Sequence, residues 1–172
     1  MTLVVMIGEP GSGKSTFVRD RFLPTQIVNL DTLRGIVSDN PGNQDATAEA
    51  VCLQNQILAA RCRRRLLTVV DATNVRADVR EGLLKHAGRH RLFTVAVVLD
   101  VPLQTCLDRN AERIGAARVP DDVIRRMRQQ RLDDIGEHPG LVPGFASTFW
   151  VGGNLGVYTF GRIPTGDLAW LR

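Results

Sequence analysis

Residues 8–16, Gly-Glu-Pro-Gly-Ser-Gly-Lys-Ser-Thr, constrain the fold of this chain more than any other stretch. Gly8, Gly13, Lys14 and Ser15 satisfy G-x-x-x-x-G-K-[ST]. The apolar run Leu3-Val4-Val5-Met6-Ile7 precedes the motif, and a helix-compatible segment from Ser15 to Leu23 follows it. A chance glycine-rich turn would not need both flanks, whereas a phosphate-binding loop does. Glycines at 8, 11 and 13 let the backbone wrap with successive N–H groups facing inward. A helix starting near Gly13 adds its positive end. In that setting Lys14 reaches the β- and γ-phosphates of a nucleotide and the Ser15 hydroxyl holds Mg²⁺. The candidate nucleotide-binding set is Gly8, Gly11, Ser12, Gly13, Lys14, Ser15 and Thr16. The chain has only two lysines against twenty arginines, and Lys14 is one of the two.

The remaining pattern alternates strand and helix. Strands are expected at 2–7, at 26–30 ending on Asp31, at 66–70 ending on Asp71, and at 92–99 ending on Asp100. The last is an apolar run broken only by Thr94, as in a parallel strand covered on both faces. Asp31 or Thr32 is placed to cap a short helix through Val37. A long helix is expected over 45–65, with Ala48, Val51, Cys52, Ile57, Leu58 and Cys62 on its apolar face. Helices over 75–88, from Pro102 to Arg113, and from Pro120 to Ile135 complete the series, with Ile114–Val119 a linker between the last two. Ser147–Val151 reads as a fifth strand and Val157–Phe160 as a sixth at an edge, and the last dozen residues show no pattern. The order of elements predicts an α/β P-loop NTPase fold: a parallel five-stranded sheet, order 2-3-1-4-5, flanked by helices. Ligands of such sheets bind beyond the carboxyl ends of the strands. The whole chain, 1–172, is expected to form one domain, with an arginine-rich helical lid at about 109–131 and an unassigned extension over 136–172.

The strand-end carboxylates carry the rest of the chemistry. Asp71 closes Val69-Val70-Asp71-Ala72-Thr73-Asn74, the usual place for a carboxylate that orients Mg²⁺. Its competing use is as a helix cap, which Asn74 would serve better. Asp31 lies beside the phosphate loop, where a second substrate enters, and a carboxylate there can take the proton of an acceptor hydroxyl. Arg34, three residues on, offers a cation on the same helical face; a capping aspartate with a solvated arginine is the plainer alternative. Arg109 and Arg113 share a face of the helix after strand 4, and suit a lid that neutralises phosphate charge. Arg118 is a further candidate. Arg125, Arg126, Arg128 and Arg131 read as a solvated face, with Asp121, Asp122, Asp133 and Asp134 available to pair with them. Arg61–Arg65 ends a helix and complements its dipole, so it is not read as a nucleic-acid patch. His86, His90 and His138 lack ligand spacing, and Trp150 and Trp170 read as packing residues.

These residues resemble the kinase modules of phage and bacterial polynucleotide 5′-hydroxyl kinases that act in nucleic-acid end repair. The resemblance covers about residues 1–135. It is carried by the phosphate loop, by Asp31 with Arg34, by Asp71-Ala72-Thr73-Asn74, and by Arg109-Asn110 with Arg113 ahead of Arg118-Val119-Pro120. It implies an enzyme moving the γ-phosphate of ATP, or another NTP, with Mg²⁺, to the 5′-OH of RNA or DNA. Asp31 would then be the general base, Arg34 would hold the neighbouring acceptor phosphate, and Lys14, Ser15, Arg109 and Arg113 would serve ATP·Mg²⁺. Two alternatives stand beside it. One is a small-molecule kinase for a nucleoside, sugar or antibiotic hydroxyl, which places Arg34 away from the acceptor. The other is a nucleotide-binding regulatory module without an acceptor.

Composition sets outer bounds. At 44% apolar and 23% charged residues the chain matches a globular protein. No apolar run approaches a membrane span, and no basic-then-apolar leader opens the chain, so a cytoplasmic protein without membrane association is expected. Cys52, Cys62 and Cys106 are odd in number and widely spaced, and read as reduced thiols. The formal charge of +4 permits a polyanionic partner, and an arginine-rich composition explains it equally well.

Overall fold

Six strands form a single sheet in this computed structural model, which describes residues 1–137, 139–152 and 156–161. They are β1 (Thr2–Ile7), β2 (Ile27–Asn29), β3 (Thr68–Asp71), β4 (Phe93–Asp100), β5 (Ser147–Gly152) and β6 (Gly156–Gly161). The order is β2-β3-β1-β4-β5-β6, with the first five strands parallel and β6 antiparallel to β5. The parallel order is the expected one. The fifth strand and the sixth, expected at an edge, are both present within the 136–172 extension, and β6 runs antiparallel to β5.

The helices are α1 (Lys14–Arg21), α2 (Leu30–Ser38), α3 (Thr47–Arg63), α4 (Ala77–Arg89), α5 (Leu103–Ala111) and α6 (Asp121–Ile135). Successive side chains of a strand point to opposite faces, so the continuous apolar run of β1 feeds two cores. Leu3, Val5 and Ile7 pack with Leu58, Cys62, Leu83, Ala87 and Trp150 on one face. Val4 and Met6 pack with Phe17, Val18, Val97 and Phe149 on the other. Leu3 to Ile7 are all fully buried.

Several element ends differ from the sequence expectation. β2 stops at Asn29, and Leu30 is already helical. The α2 cap is Asn29, whose Oδ1 accepts from the Thr32 N–H at 2.8 Å, rather than Asp31 or Thr32. The α3 face is rotated: Ala50, Gln54, Leu58 and Cys62 are buried at a spacing of four, while Val51 and Cys52 are exposed. α5 ends at Ala111, so Arg113 is not on it. Asn74 does not cap α4; it adopts φ +45° and turns its amide inward. Arg61 bonds the Thr68 hydroxyl at 2.9 Å and the Leu67 carbonyl at 2.8 Å, tying the end of α3 to the start of β3. Trp150 is buried and donates to the Gly140 carbonyl at 2.7 Å. His138 and Trp170 lie outside the described residues. Among the described residues, no helix is long and apolar enough to cross a membrane.

Candidate active site

The phosphate loop joins the carboxyl end of β1 to the first turn of α1, and glycine is obligatory at two of its positions. Gly11 has φ +84° and Gly13 has φ +94°, both in the left-handed region. A Cβ on Gly11 would lie 2.3 Å from the Cys106 carbonyl oxygen, so α5 packs directly on the loop. Arg109, one turn further along α5, donates to the Gly11 carbonyl at 3.3 Å. Ser15 and Thr16 are exposed in the first turn of α1. Lys14 is buried, and its Nζ donates to the Glu9 carbonyl at 2.8 Å and to Ser12 Oγ at 3.4 Å. Burial pushes its ammonium down to about 8; the Asp71 and Glu9 carboxylates oppose that shift and Arg113 adds to it.

Asp71 stands at the carboxyl end of β3, buried and within electrostatic reach of Lys14. Asn29 Nδ2 donates to its Oδ2 at 2.8 Å, so the residue that caps α2 also orients Asp71. The loop after Asp71 is bonded to the phosphate loop. The Gly8 N–H donates to the Thr73 carbonyl at 3.0 Å, and Asn74 Nδ2 donates to the Met6 carbonyl at 2.8 Å.

Asp31 sits in the first turn of α2 with its side chain 69% exposed. Arg34, three residues on, is buried; one guanidinium nitrogen pairs with Asp31 and Nε donates to the Pro41 carbonyl at 3.0 Å. The expected Asp31–Arg34 pair therefore exists, but the arginine is engaged by the chain itself.

Arg109 and Arg113 do not share a helical face. Arg113 lies in the segment between α5 and α6, where its Nη1 reaches the Ala117 carbonyl at 3.5 Å. Buried Asn110 bonds both backbone groups of Val119, at 2.7 and 3.0 Å, and so staples the two roots of that segment together. Arg118, Arg125 and Arg126 are exposed. The solvated-face reading fails at Arg128 and Arg131: Arg131 is fully buried and pairs with Glu9 and Asp100, and Arg128 leans on the same carboxylates. Glu9, Asn29, Asn74 and Arg131 are the residues that sequence reasoning did not assign to this rim. The available signal was a carboxylate inside the loop, which needs a buried counter-cation from elsewhere in the chain.

A cavity of about 400 Å³ opens beside α1, lined by Gly13, Thr16, Phe17, Asp20, Arg21 and Arg109. Arg21 lies over the Phe17 ring at 4.2 Å from its centroid. A larger hollow, about 660 Å³, lies at the opposite rim among Met1, Thr2, Arg65 and Phe93, and none of the candidate site residues lines it. The donors near Lys14 fit Mg²⁺, which takes one or two protein oxygens and completes its shell with water and phosphate. The Ser15 hydroxyl and the Asp71 carboxylate supply such a set, and no cluster of three or more His, Cys, Asp or Glu exists among the described residues.

Residues 3–132 match the model of a family described as an AAA domain. Among curated proteins, the chain is 31% identical over 156 residues to 2′,3′-cyclic-nucleotide 3′-phosphodiesterase of Pongo abelii, covering 87% of this chain and 33% of that protein. The chain spans a third or less of the length of the curated relatives it matches. Among solved structures, it superposes on a kinase candidate from Chloroflexus aurantiacus with TM-score 0.66 at 14% identity, covering 88% of this chain and 87% of that one. It superposes on a chain of the Pnkp1/Rnl/Hen1 RNA repair complex with TM-score 0.65 at 23% identity, covering 77% of this chain and 44% of that one. At these identities the likeness to solved structures is one of fold: a P-loop kinase-like sheet with its flanking helices.

Proposed function

From membership of the AAA domain family, to which this chain belongs by its match over residues 3–132, we propose that it is a kinase moving the γ-phosphate of ATP, or another NTP, to the 5′-OH of RNA or DNA. The observation that carries the reading is the arrangement at one rim. Lys14 is bonded within the phosphate loop, Asp71 lies within its electrostatic reach and Arg109 bonds the loop at Gly11, while Asn29 links Asp71 to the helix bearing the exposed Asp31 carboxylate. The triphosphate lies along the loop N–H groups and the N-terminus of α1. Its nucleoside enters the cavity between α1 and Arg109. Ser15 and Asp71 would hold Mg²⁺, which would supply positive charge against the triphosphate.

Asp31 takes the proton of the acceptor hydroxyl. The acceptor oxygen bonds to the γ-phosphorus as the bond to the bridging oxygen breaks, and the leaving charge stays on the nucleoside diphosphate. Lys14, Arg109 and Arg113 offset that charge, with residues 109–131 acting as the lid of a single kinase domain over 1–172. Arg34 orients Asp31. The exposure of Asp31, at 69%, suits an acceptor too large for a closed pocket. A neighbour of similar fold belongs to an RNA repair complex, which supports the same direction.

One observation favours the small-molecule alternative. With its guanidinium engaged by Asp31 and Pro41, Arg34 is not offered to an acceptor phosphate. The test is transfer of label from γ-labelled ATP with Mg²⁺ to 5′-OH RNA and DNA oligonucleotides, beside a panel of nucleosides and sugars. Label on the oligonucleotide, lost in Asp31→Ala, is expected. Label on a small hydroxyl compound alone overturns the polynucleotide acceptor, and nucleotide binding without any transfer overturns the kinase.

A further inference from the structure

A buried ionic cluster ties the phosphate loop to α6. Glu9, the second residue of the loop motif, is fully buried, as is Arg131. Arg131 Nε donates to Glu9 Oε1 at 2.8 Å and Nη2 donates to Asp100 Oδ1 at 2.9 Å. Nearly one turn earlier, Arg128 Nη1 donates to the Val101 carbonyl at 2.9 Å and lies 3.7 Å from Glu9 Oε2. Nearly one turn later, Asp134 pairs with buried Arg80, which donates to the carbonyls of Asn74 at 3.0 Å and Val75 at 2.7 Å. Positions three apart fall on one stripe of a helix. That stripe of α6 grips the phosphate loop through Glu9, the end of β4 through Asp100, and the loop after Asp71 through Arg80.

Stability alone does not account for the cluster. Desolvation of a buried ion pair commonly exceeds its attraction, and well-packed apolar replacements are often as stable. The bonding is also incomplete: among the described residues, Glu9 Oε2 and Arg131 Nη1 have no hydrogen-bond partner. A carboxylate is the wrong charge for a loop that receives phosphate, and Arg131 with Arg128 cancels it. Meanwhile the Glu9 backbone carbonyl accepts from Lys14. One residue is thus held by α6 through its side chain and by Lys14 through its backbone. The other end of α6 begins where the arginine-bearing segment stapled by Asn110 ends.

We propose that Glu9 and Arg131 are positioning residues: their pair fixes the first half of the phosphate loop on α6, so that nucleotide binding and the placement of α6 with its lid are coupled. The inference rests on the nucleotide-binding reading above. Trp150 supplies a reporter, since the Arg131 guanidinium lies 5.9 Å from its ring centroid. The chain has two tryptophans, so Trp170→Phe leaves Trp150 alone.

In that background, the affinity for Mg·ATP, the melting temperature and the Trp150 emission are compared with those of Glu9→Leu/Arg131→Met and Arg131→Lys. The double variant removes one charge of each sign, so a change in affinity is not a change of net charge. Expected is a parent whose Trp150 emission responds to saturating nucleotide. The double variant melts near the parent, binds roughly 5–150-fold more weakly and loses the response. Arg131→Lys keeps the charge without the fork that spans Glu9 and Asp100, and falls between; if the double variant does not fold, this variant decides by the same comparison. Parental affinity in the folded variants, or a parent that binds nucleotide without any Trp150 response, overturns the inference. A parent that binds no nucleotide overturns the reading beneath it, and that failure shows in the parent alone.

Discussion

Lys14 carries the sharpest consequence at the scale of single residues. Its neighbours are Glu9 on the loop, Asp71 on β3, Cys106 on α5 and Arg113 beyond it, and burial outweighs their net support, leaving the ammonium at about 8. A lysine lowered in the fold contributes stability that is present above its unfolded value and lost as pH falls through about 8. Phosphate acts in the opposite sense by favouring the ammonium. Binding of ATP near pH 8 is therefore expected to take up protons, and affinity to fall as pH rises further, by up to about tenfold per unit. Calorimetry in buffers of different ionisation enthalpy measures the uptake; binding without proton uptake at pH 8 contradicts the assignment. Gly11 gives a second test. Gly11→Ala places a methyl against the Cys106 carbonyl at φ +84°. The left-handed conformation alone costs about 1–2 kcal/mol, and the contact must also push α5 from the loop. A lower melting temperature together with weaker nucleotide binding is expected, and an unchanged melting temperature would contradict the packing described.

Among the elements, α2 shows how one side chain serves two ends. Asn29 accepts from the Thr32 N–H and donates to the Asp71 carboxylate. Asn29→Asp keeps the cap, because aspartate caps a helix as well as asparagine does. It cannot keep the donation, and it sets a second carboxylate against Asp71. A lower melting temperature at neutral pH is expected from the two facing carboxylates, with weaker binding of Mg·ATP. Asn29→Ala loses both functions and should also cost about 1 kcal/mol of stability, the usual worth of a cap. Chemical denaturation of both variants, with nucleotide titrations, separates the roles. Parental stability in Asn29→Ala contradicts the cap, and parental affinity for Mg·ATP in Asn29→Asp contradicts the role given to the Asp71 contact. The α5–α6 segment follows the same logic, with Asn110 closing it through two bonds to Val119.

For the molecule as a whole, the rim residues come from along most of the chain: the phosphate loop, the carboxyl ends of β2, β3 and β4 with the loop after β3, α2, α5, the segment beyond it, and α6. A ligand that bridges them binds only the folded state. At a hundred times its dissociation constant it adds about 2.7 kcal/mol, which for a domain of this size raises the melting temperature by roughly 5–10 °C. Mg·ATP is expected to produce that shift and Lys14→Met to abolish it, as followed by thermal denaturation. An equal shift in Lys14→Met would move the nucleotide site away from the loop.

The sheet was legible in the sequence because its signals are local. The apolar run at 3–7 and the one at 92–99, broken only by Thr94, specify strands buried on both faces, and the glycine spacing at 8–13 specifies a loop that only such a strand and a following helix can flank. The handed connection of parallel strands then left few orders to consider. The candidate nucleotide residues were legible for the same reason, since loop and lysine lie within nine positions. What pairs with what across the fold was decided by tertiary packing. Arg131 and Arg125 look alike in the sequence, yet one is fully buried against Glu9, 122 residues away, and the other is exposed. Arg34 was expected to face an acceptor but is held by Asp31 and the Pro41 carbonyl. Asn74 suited a helix cap but bonds the Met6 carbonyl 68 residues earlier. A side chain's local spacing fixes the face it can occupy, whereas the charge that must be neutralised on that face arrives from another part of the chain.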